Sequence, residues 1–128
     1  MSGKTKFYIC NQCGNMMGLI KDKGMPVICC GKKMTELVPN TVEASVEKHL
    51  PEISFVDGIL SVQVGSTIHP MDADHLITFV YVETEQGGQR KNLVAGDVPK
   101  MSFNFVDDKP IAVYAYCNLH GIWKTEVK

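Results

Sequence analysis

Residues 59–64 read ILSVQV, and that alternation sets the fold of the larger part of the chain. Leu60, Val62 and Val64 fall on one face of an extended segment, Ser61 and Gln63 on the other, the period of a strand with one buried side. The period returns in MSFNFV at 101–106, where Met101, Phe103 and Phe105 oppose Ser102 and Asn104. LITFVYVET (76–84) and RKNLV (90–94) flank EQGGQ, whose paired glycines predict a hairpin. IAVYAYC (111–117) is β-branched and aromatic and follows the turn residues DDKP. The stretch 38–52, VPNTVEASVEKHLPE, is the least regular, and a linker, a loop or a short helix fits it. No segment carries a sustained helical period with caps. Six or seven short strands over residues 38–128 predict a two-sheet antiparallel sandwich.

The totals bound the rest. With 128 residues, the chain makes one ordinary domain, or one small domain and one modest one. A hydrophobic share of 45% is enough for a packed core, and a net charge of -1 gives no support for nucleic-acid or membrane binding. No apolar run reaches the length of a bilayer span. MSGKTKFYIC lacks the features of a signal peptide, so the cytoplasm is the expected compartment. Thiols stay reduced there, and five cysteines point to metal ligands more than to disulfides.

Cysteine and histidine divide the sequence between them. Cys10, Cys13, Cys29 and Cys30 stand in the first thirty residues, while His49, His69, His75, His120 and the remaining Cys117 all follow residue 40. Two metal sites with different ligand sets produce such a partition. Residues 1–37 read as a small knuckle domain, with short strands in KFYIC and MMGLI around a turn at NQCGN. A segment this short cannot fold on core packing alone, and four thiolates on a metal would staple it. Cys-x2-Cys, fifteen residues and Cys-Cys suit a tetrahedral site. Four reduced buried cysteines or two disulfides are the bland alternatives. The spacing does not choose zinc over iron, and adjacent cysteines predict a distorted tetrahedron.

Four histidines and one thiolate exceed the four ligands of a structural zinc site and match an iron centre with five protein ligands and one open position. Taken singly, each histidine reads as a surface or satisfied core residue, and Cys117, continuing the face of Ile111, Val113 and Ala115, reads as an inert core thiol. The set changes that balance. Pro70 restrains His69 toward extended geometry, His69 and His75 bracket the compact loop PMDAD, and His120 follows Cys117 closely enough for both to reach one metal from a turn. A blue-copper sandwich also carries Cys and His near its end, but needs an axial ligand soon after that His, and the last methionine here is Met101.

These residues resemble desulfoferrodoxin, the two-iron form of superoxide reductase, over essentially the whole chain. YICNQCGNM with VICCGKKM looks like the desulforedoxin-type iron knuckle, and EKHLP, HPMDADH and YCNLHGIW look like the three signature stretches of the catalytic domain. The resemblance implies an all-β fold, a small desulforedoxin-like domain (1–37) followed by an immunoglobulin-like antiparallel β-sandwich (38–128), assembled as a homodimer. It implies two non-haem iron ions per chain. One is held by Cys10, Cys13, Cys29 and Cys30, the other by equatorial His49, His69, His75 and His120 with Cys117 axial. The implied reaction is one-electron reduction: superoxide, one electron and two protons give hydrogen peroxide, without release of oxygen. Lys48 is expected at the open face, attracting the anion and ordering the water that delivers protons. Glu47 is expected to take the vacant position of the oxidised centre. Rubredoxin or a similar small carrier is the expected donor. Two other readings remain at this stage: a non-haem iron electron carrier without turnover, and a zinc-stabilised binding module.

Overall fold

The computed structural model describes residues 5–128. The chain divides into two compact units, the first ending at Val38 and the second running Pro39–Lys128. No helix among the described residues is long and apolar enough to cross a membrane.

The first unit is built from very short strands. β1 (Phe7–Ile9) lies between β2 (Met16–Gly18) and β5 (Thr35–Leu37), and β3 (Ile28–Cys29) and β4 (Lys32–Lys33) form a separate hairpin. Among its described hydrophobic residues only Cys10 and Met34 are buried, while Ile20, Met25 and Ile28 face solvent. Two buried side chains cannot offset the conformational entropy of ordering such a segment. The unit therefore depends on its cysteines for cohesion.

The second unit is an antiparallel sandwich of seven strands. One sheet has the order β10 (Lys100–Asn104), β7 (Ile59–Val64), β6 (Pro51–Val56); the other has β12 (Gly121–Glu126), β11 (Pro110–Cys117), β8 (Ile77–Thr84), β9 (Gly87–Asn92). Leu60, Val62 and Val64 are fully buried, as their alternation predicts, and with Phe103 beside them pack in one core with Ile77, Val80, Val82, Val113, Ala115 and Cys117 of the other sheet. Lys91 Nζ donates to the Ser102 carbonyl at 2.7 Å and Gln89 Nε2 to the Asn104 carbonyl at 2.9 Å. Two outer carbonyls of edge strand β10 are thus occupied by side chains, which blunts that edge against pairing with another chain.

Two elements differ from the sequence expectation, and the irregular stretch takes one of the forms expected for it. The hairpin expected at EQGGQ forms, but its turn is Glu85–Gln86; Thr84 pairs with Gly87 and Glu83 with Gly88, so the glycines open β9. Tyr81 lies so close over Gly88 that a Cβ there would run into its hydroxyl. β6 pairs with β7 through Asp57–Gly58, whose φ values of 52° and 76° belong to a two-residue type I′ turn. In the irregular stretch 38–52, a single helical turn forms, α1 (Val46–His49).

Candidate metal centres

In the first unit the sulfurs of Cys10, Cys13, Cys29 and Cys30 all lie within 4.8 Å of one another, and Cys13 and Cys29 Sγ are 3.6 Å apart. All four cysteines are free, so the disulfide alternative does not apply. Four thiolates on a tetrahedral ion with bonds of about 2.3 Å would stand about 3.8 Å apart, so the observed cage has the right size. Backbone turns prepare it. The N–H of Cys13 points at Cys10 Sγ (3.5 Å) and that of Asn15 at Cys13 Sγ (3.4 Å). Gly14 and Gly31 at φ 84° and 73°, with Cys30 at φ 53°, bend the two arms inward. The N–H groups of Cys13 and Gln12 pull the Cys10 thiol down to about 6, whereas Cys13 and then Cys10 push Cys30 up to about 12. A cage with one thiol ready to ionise and another resisting it fits a cation at its centre, which stabilises all four thiolates together.

The second cluster forms at one end of the sandwich. His49 comes from α1, His69 and His75 from the loop between β7 and β8, Cys117 from the end of β11, and His120 from the turn into β12. The ligand atoms of His49, His69, His75 and Cys117 lie within 4.8 Å of one another. His120 joins them: its Nδ1 is 3.1 Å from His49 Nε2 and 3.8 Å from Cys117 Sγ. The four imidazoles close a square in the order 49, 69, 75, 120. Centroid spacings are 4.7, 4.8, 5.3 and 4.9 Å, each ring edge-on to the next. Cys117 is wholly buried and belongs to the core cluster, so the thiol approaches the square from the protein interior.

The ring orientations are held from behind. His49 Nδ1 and His69 Nδ1 each lie 2.7 Å from a backbone carbonyl, of Ser45 and Pro70 respectively. Such a contact requires N–H on Nδ1, which leaves the Nε2 lone pair facing the cluster. Burial is the main cause that lowers His49 and takes His69 down to about 4, so both stay neutral, the form that binds metal. Nε2 of His69 and Nε2 of His75 are buried with no hydrogen-bond partner, and His49 Nε2 and His120 Nδ1 stand 3.1 Å apart. Orphaned acceptors aimed at one point are costly unless a cation sits there. Cis nitrogens on an ion with bonds of about 2.1 Å would be about 3.0 Å apart, which matches. The donor set, four imidazoles and one thiolate, suits iron. Met71, between His69 and His75 in sequence, takes the N–H of Ile77 on its sulfur at 3.4 Å.

Glu47 and Lys48 are exposed on α1 beside His49. Lys48 is near enough for its charge to contribute to lowering His49, behind burial and the neighbouring histidines. The loop after β7 supports this turn: Thr67 N–H (2.9 Å) and Ser66 Oγ (3.2 Å) donate to the Glu47 carbonyl, and Gly65 N–H to that of Leu50 (3.2 Å). Gly65 has φ 83°, and a Cβ there would sit 2.6 Å from the Lys48 carbonyl oxygen. Sequence reasoning did not assign Trp123, although it closes the YCNLHGIW stretch. Its indole stacks on His49 (5.1 Å, 24°) and its Nε1–H donates to the His120 carbonyl at 3.1 Å.

Comparison with known proteins gives a consistent result. The Desulfoferrodoxin family profile matches residues 41–126. A desulfoferrodoxin from Syntrophotalea carbinolica is 37% identical over 126 residues, covering 98% of this chain and 99% of its own. Among solved structures, the superoxide reductase from Treponema pallidum superposes with a TM-score of 0.81 at 30% identity, covering 97% of this chain and 100% of that one. A one-iron superoxide reductase from Giardia intestinalis matches 64% of this chain with a TM-score of 0.55 at 29% identity.

Proposed function

Because the chain belongs to the desulfoferrodoxin family, we propose that it is a superoxide reductase, an oxidoreductase that converts superoxide to hydrogen peroxide at the histidine–cysteine centre of its second unit. The observation that carries this reading is the closed square of four imidazoles with one buried thiol behind it and two orphaned ring nitrogens inside it. The five protein donors would leave a bound metal room for substrate, which an electron carrier with a filled coordination shell would not need. Iron bound there would supply the electron and the position at which superoxide binds.

The chain's own residues do the rest. His49, His69, His75 and His120 hold the square, and the carbonyls of Ser45 and Pro70 fix two of the rings. Cys117, soft and electron-rich, sits on the core side, where burial keeps competing ligands and water from its sulfur. Lys48 stands on exposed α1 next to His49 and gives the incoming anion a local attraction that a net charge of -1 does not provide. It also orders the water that protonates the product. Glu47, two residues from His49, would offer its carboxylate as a further ligand to the oxidised centre. The first unit, residues 1–37 in this reading, holds an auxiliary iron on Cys10, Cys13, Cys29 and Cys30 that relays electrons or stabilises the fold. Rubredoxin or a similar small carrier donates the electron, and the working form is a cytoplasmic homodimer.

The test is a pair of variants. Wild type should bind about two irons per chain in this reading and react with superoxide in pulse radiolysis. Cys117→Ser should lose the thiolate-to-metal band of the second centre and the reaction while keeping the spectrum of the first; Cys13→Ser should do the converse. Full superoxide turnover in Cys117→Ser, or a colourless zinc protein isolated from iron-replete cells, would defeat the proposal.

A further inference from the structure

The four histidines are not held alike. His49 and His69 are locked through their rings by a backbone carbonyl, and His120 through its own carbonyl by Trp123. His75 has no hydrogen bond to its ring among the described residues, and its Nε2 is buried without a partner. Its loop is closed on itself, Asp72 N–H donating to the His75 carbonyl at 2.9 Å and His75 N–H to the Asp72 carbonyl at 3.1 Å. Such a turn is a rigid body, but nothing within it aims the imidazole at the other ligands.

The side chain of Asn118 ties that loop to the end of β11. Its Oδ1 accepts the N–H of Leu76 at 2.9 Å, and its Nδ2 donates to the Asp74 carbonyl at 3.0 Å. Asn118 N–H also donates to the Leu76 carbonyl at 3.2 Å. The two residues it grips are the neighbours of His75 on either side, more than forty positions away in sequence. Asn118 directly follows Cys117, which pairs with Ile77 across a register shift in the β8–β11 ladder. A side-chain amide carries one donor group and one acceptor at the spacing of a peptide unit, so it reinforces the ladder just past the register shift, beside the backbone bond that Asn118 N–H makes to Leu76.

We infer that Asn118 is the positioning residue for His75, coupling the loop that carries this imidazole to the turn that carries Cys117, so that the two ligands move as one piece. This rests on the reading that both residues bind one metal. Asn118 is itself exposed, so water competes for its bonds and its removal should loosen one loop without unfolding the sandwich. Outer partners of metal ligands commonly change metal affinity by about 10–100-fold.

The full-length chain, labelled with 15N at histidine and loaded with Zn(II), provides the test by NMR. In Asn118→Ala, the His75 ring signals should broaden or shift while those of His49 and His69 hold, and zinc should pass to a chelator about tenfold faster. Asn118→Asp keeps the acceptor for Leu76 but loses the donor to Asp74, and should give an intermediate result. An unmoved His75 ring in folded Asn118→Ala, equal shifts of all four rings, or loss of fold in both variants would each overturn the inference. Zinc that moved no histidine ring in the wild-type chain would instead overturn the metal-site reading, and this inference with it.

Discussion

Replacing Trp123 with Phe separates the two tasks of its side chain. Phenylalanine keeps an aromatic face over His49, where the indole now stacks at 5.1 Å and 24°, but has no N–H for the His120 carbonyl, now bonded at 3.1 Å. The lost hydrogen bond contributes about 1 kcal/mol net. His120 is partly exposed, so water replaces the lost donor and the larger cost of a stranded buried acceptor does not apply. Trp123 is 3% exposed, and exchanging indole for phenyl removes buried ring area worth on the order of 1 kcal/mol. The sum is about 2 kcal/mol. Trp123→Leu should lose a further ~0.5–1.5 kcal/mol with the stack. Urea unfolding of the metal-loaded chain, followed by far-UV circular dichroism, measures both; the slope should stay constant while the midpoint falls. Faster metal release from the histidine–cysteine centre should accompany the lower midpoint in both variants. A loss below about 0.5 kcal/mol in Trp123→Phe, or equal losses in Phe and Leu variants, would refute this division of roles.

Lys48→Ala should slow the association with superoxide and flatten its dependence on ionic strength, because a single local cation is screened within about 10 Å at 0.1 M salt; an unchanged rate constant in pulse radiolysis would remove the steering role. Gly65→Ala should lower stability by about 1–3 kcal/mol, since φ 83° strains any L side chain and the new Cβ runs into the Thr67 and Lys48 carbonyls. The displaced α1 should also alter the spectrum of the histidine–cysteine centre, and a variant with wild-type stability and spectrum would show that the loop does not support α1.

The sandwich was legible wherever a strand is long enough to show its period. ILSVQV, MSFNFV and IAVYAYC announce their buried faces, and Leu60, Phe103 and Val113 lie in the core accordingly. β6 went unread although Asp57–Gly58 stands between it and β7, because its later residues Phe55 and Val56 are substantially exposed and blur the alternation. The strands of the first unit, two or three residues each, carry no period to read. Cysteine and histidine were visible as candidate ligands because few other side chains bind soft or borderline metals. What fixes their geometry was not visible, since the carbonyls of Ser45 and Pro70 are backbone atoms that any residue would offer. Asn118 and Trp123 stood in plain sight inside YCNLHGIW, but their roles depend on a register across β8, β11 and β12 that only the folded chain defines.

Removing the metal brings these strands of reasoning to one measurement. Without a cation, Nε2 of His69 and Nε2 of His75 stay buried and unpartnered, each at a cost of about 1–3 kcal/mol. Bound metal relieves that cost, and the net gain appears as mass-action stabilisation, about 2.7 kcal/mol at a hundredfold excess over Kd. The metal-free chain should therefore melt well below the loaded one. It should also respond to pH in a definite direction. His69 titrates at about 4 in the folded chain and near 6.5 unfolded, and His49 is lowered too, both chiefly by burial. Between those values the unfolded chain binds more protons than the folded one, so stability rises with pH. This contribution is fully present above about pH 6.5 and is lost as the pH falls toward 4. Loaded protein should hold its stability further into acid, until protons displace the ligands and metal and fold are lost together. Melting curves of both forms from pH 7.5 to 4.5 decide the matter: parallel pH profiles would mean that the buried imidazoles are not what the metal binds, and the square of histidines would lose its standing as the metal centre.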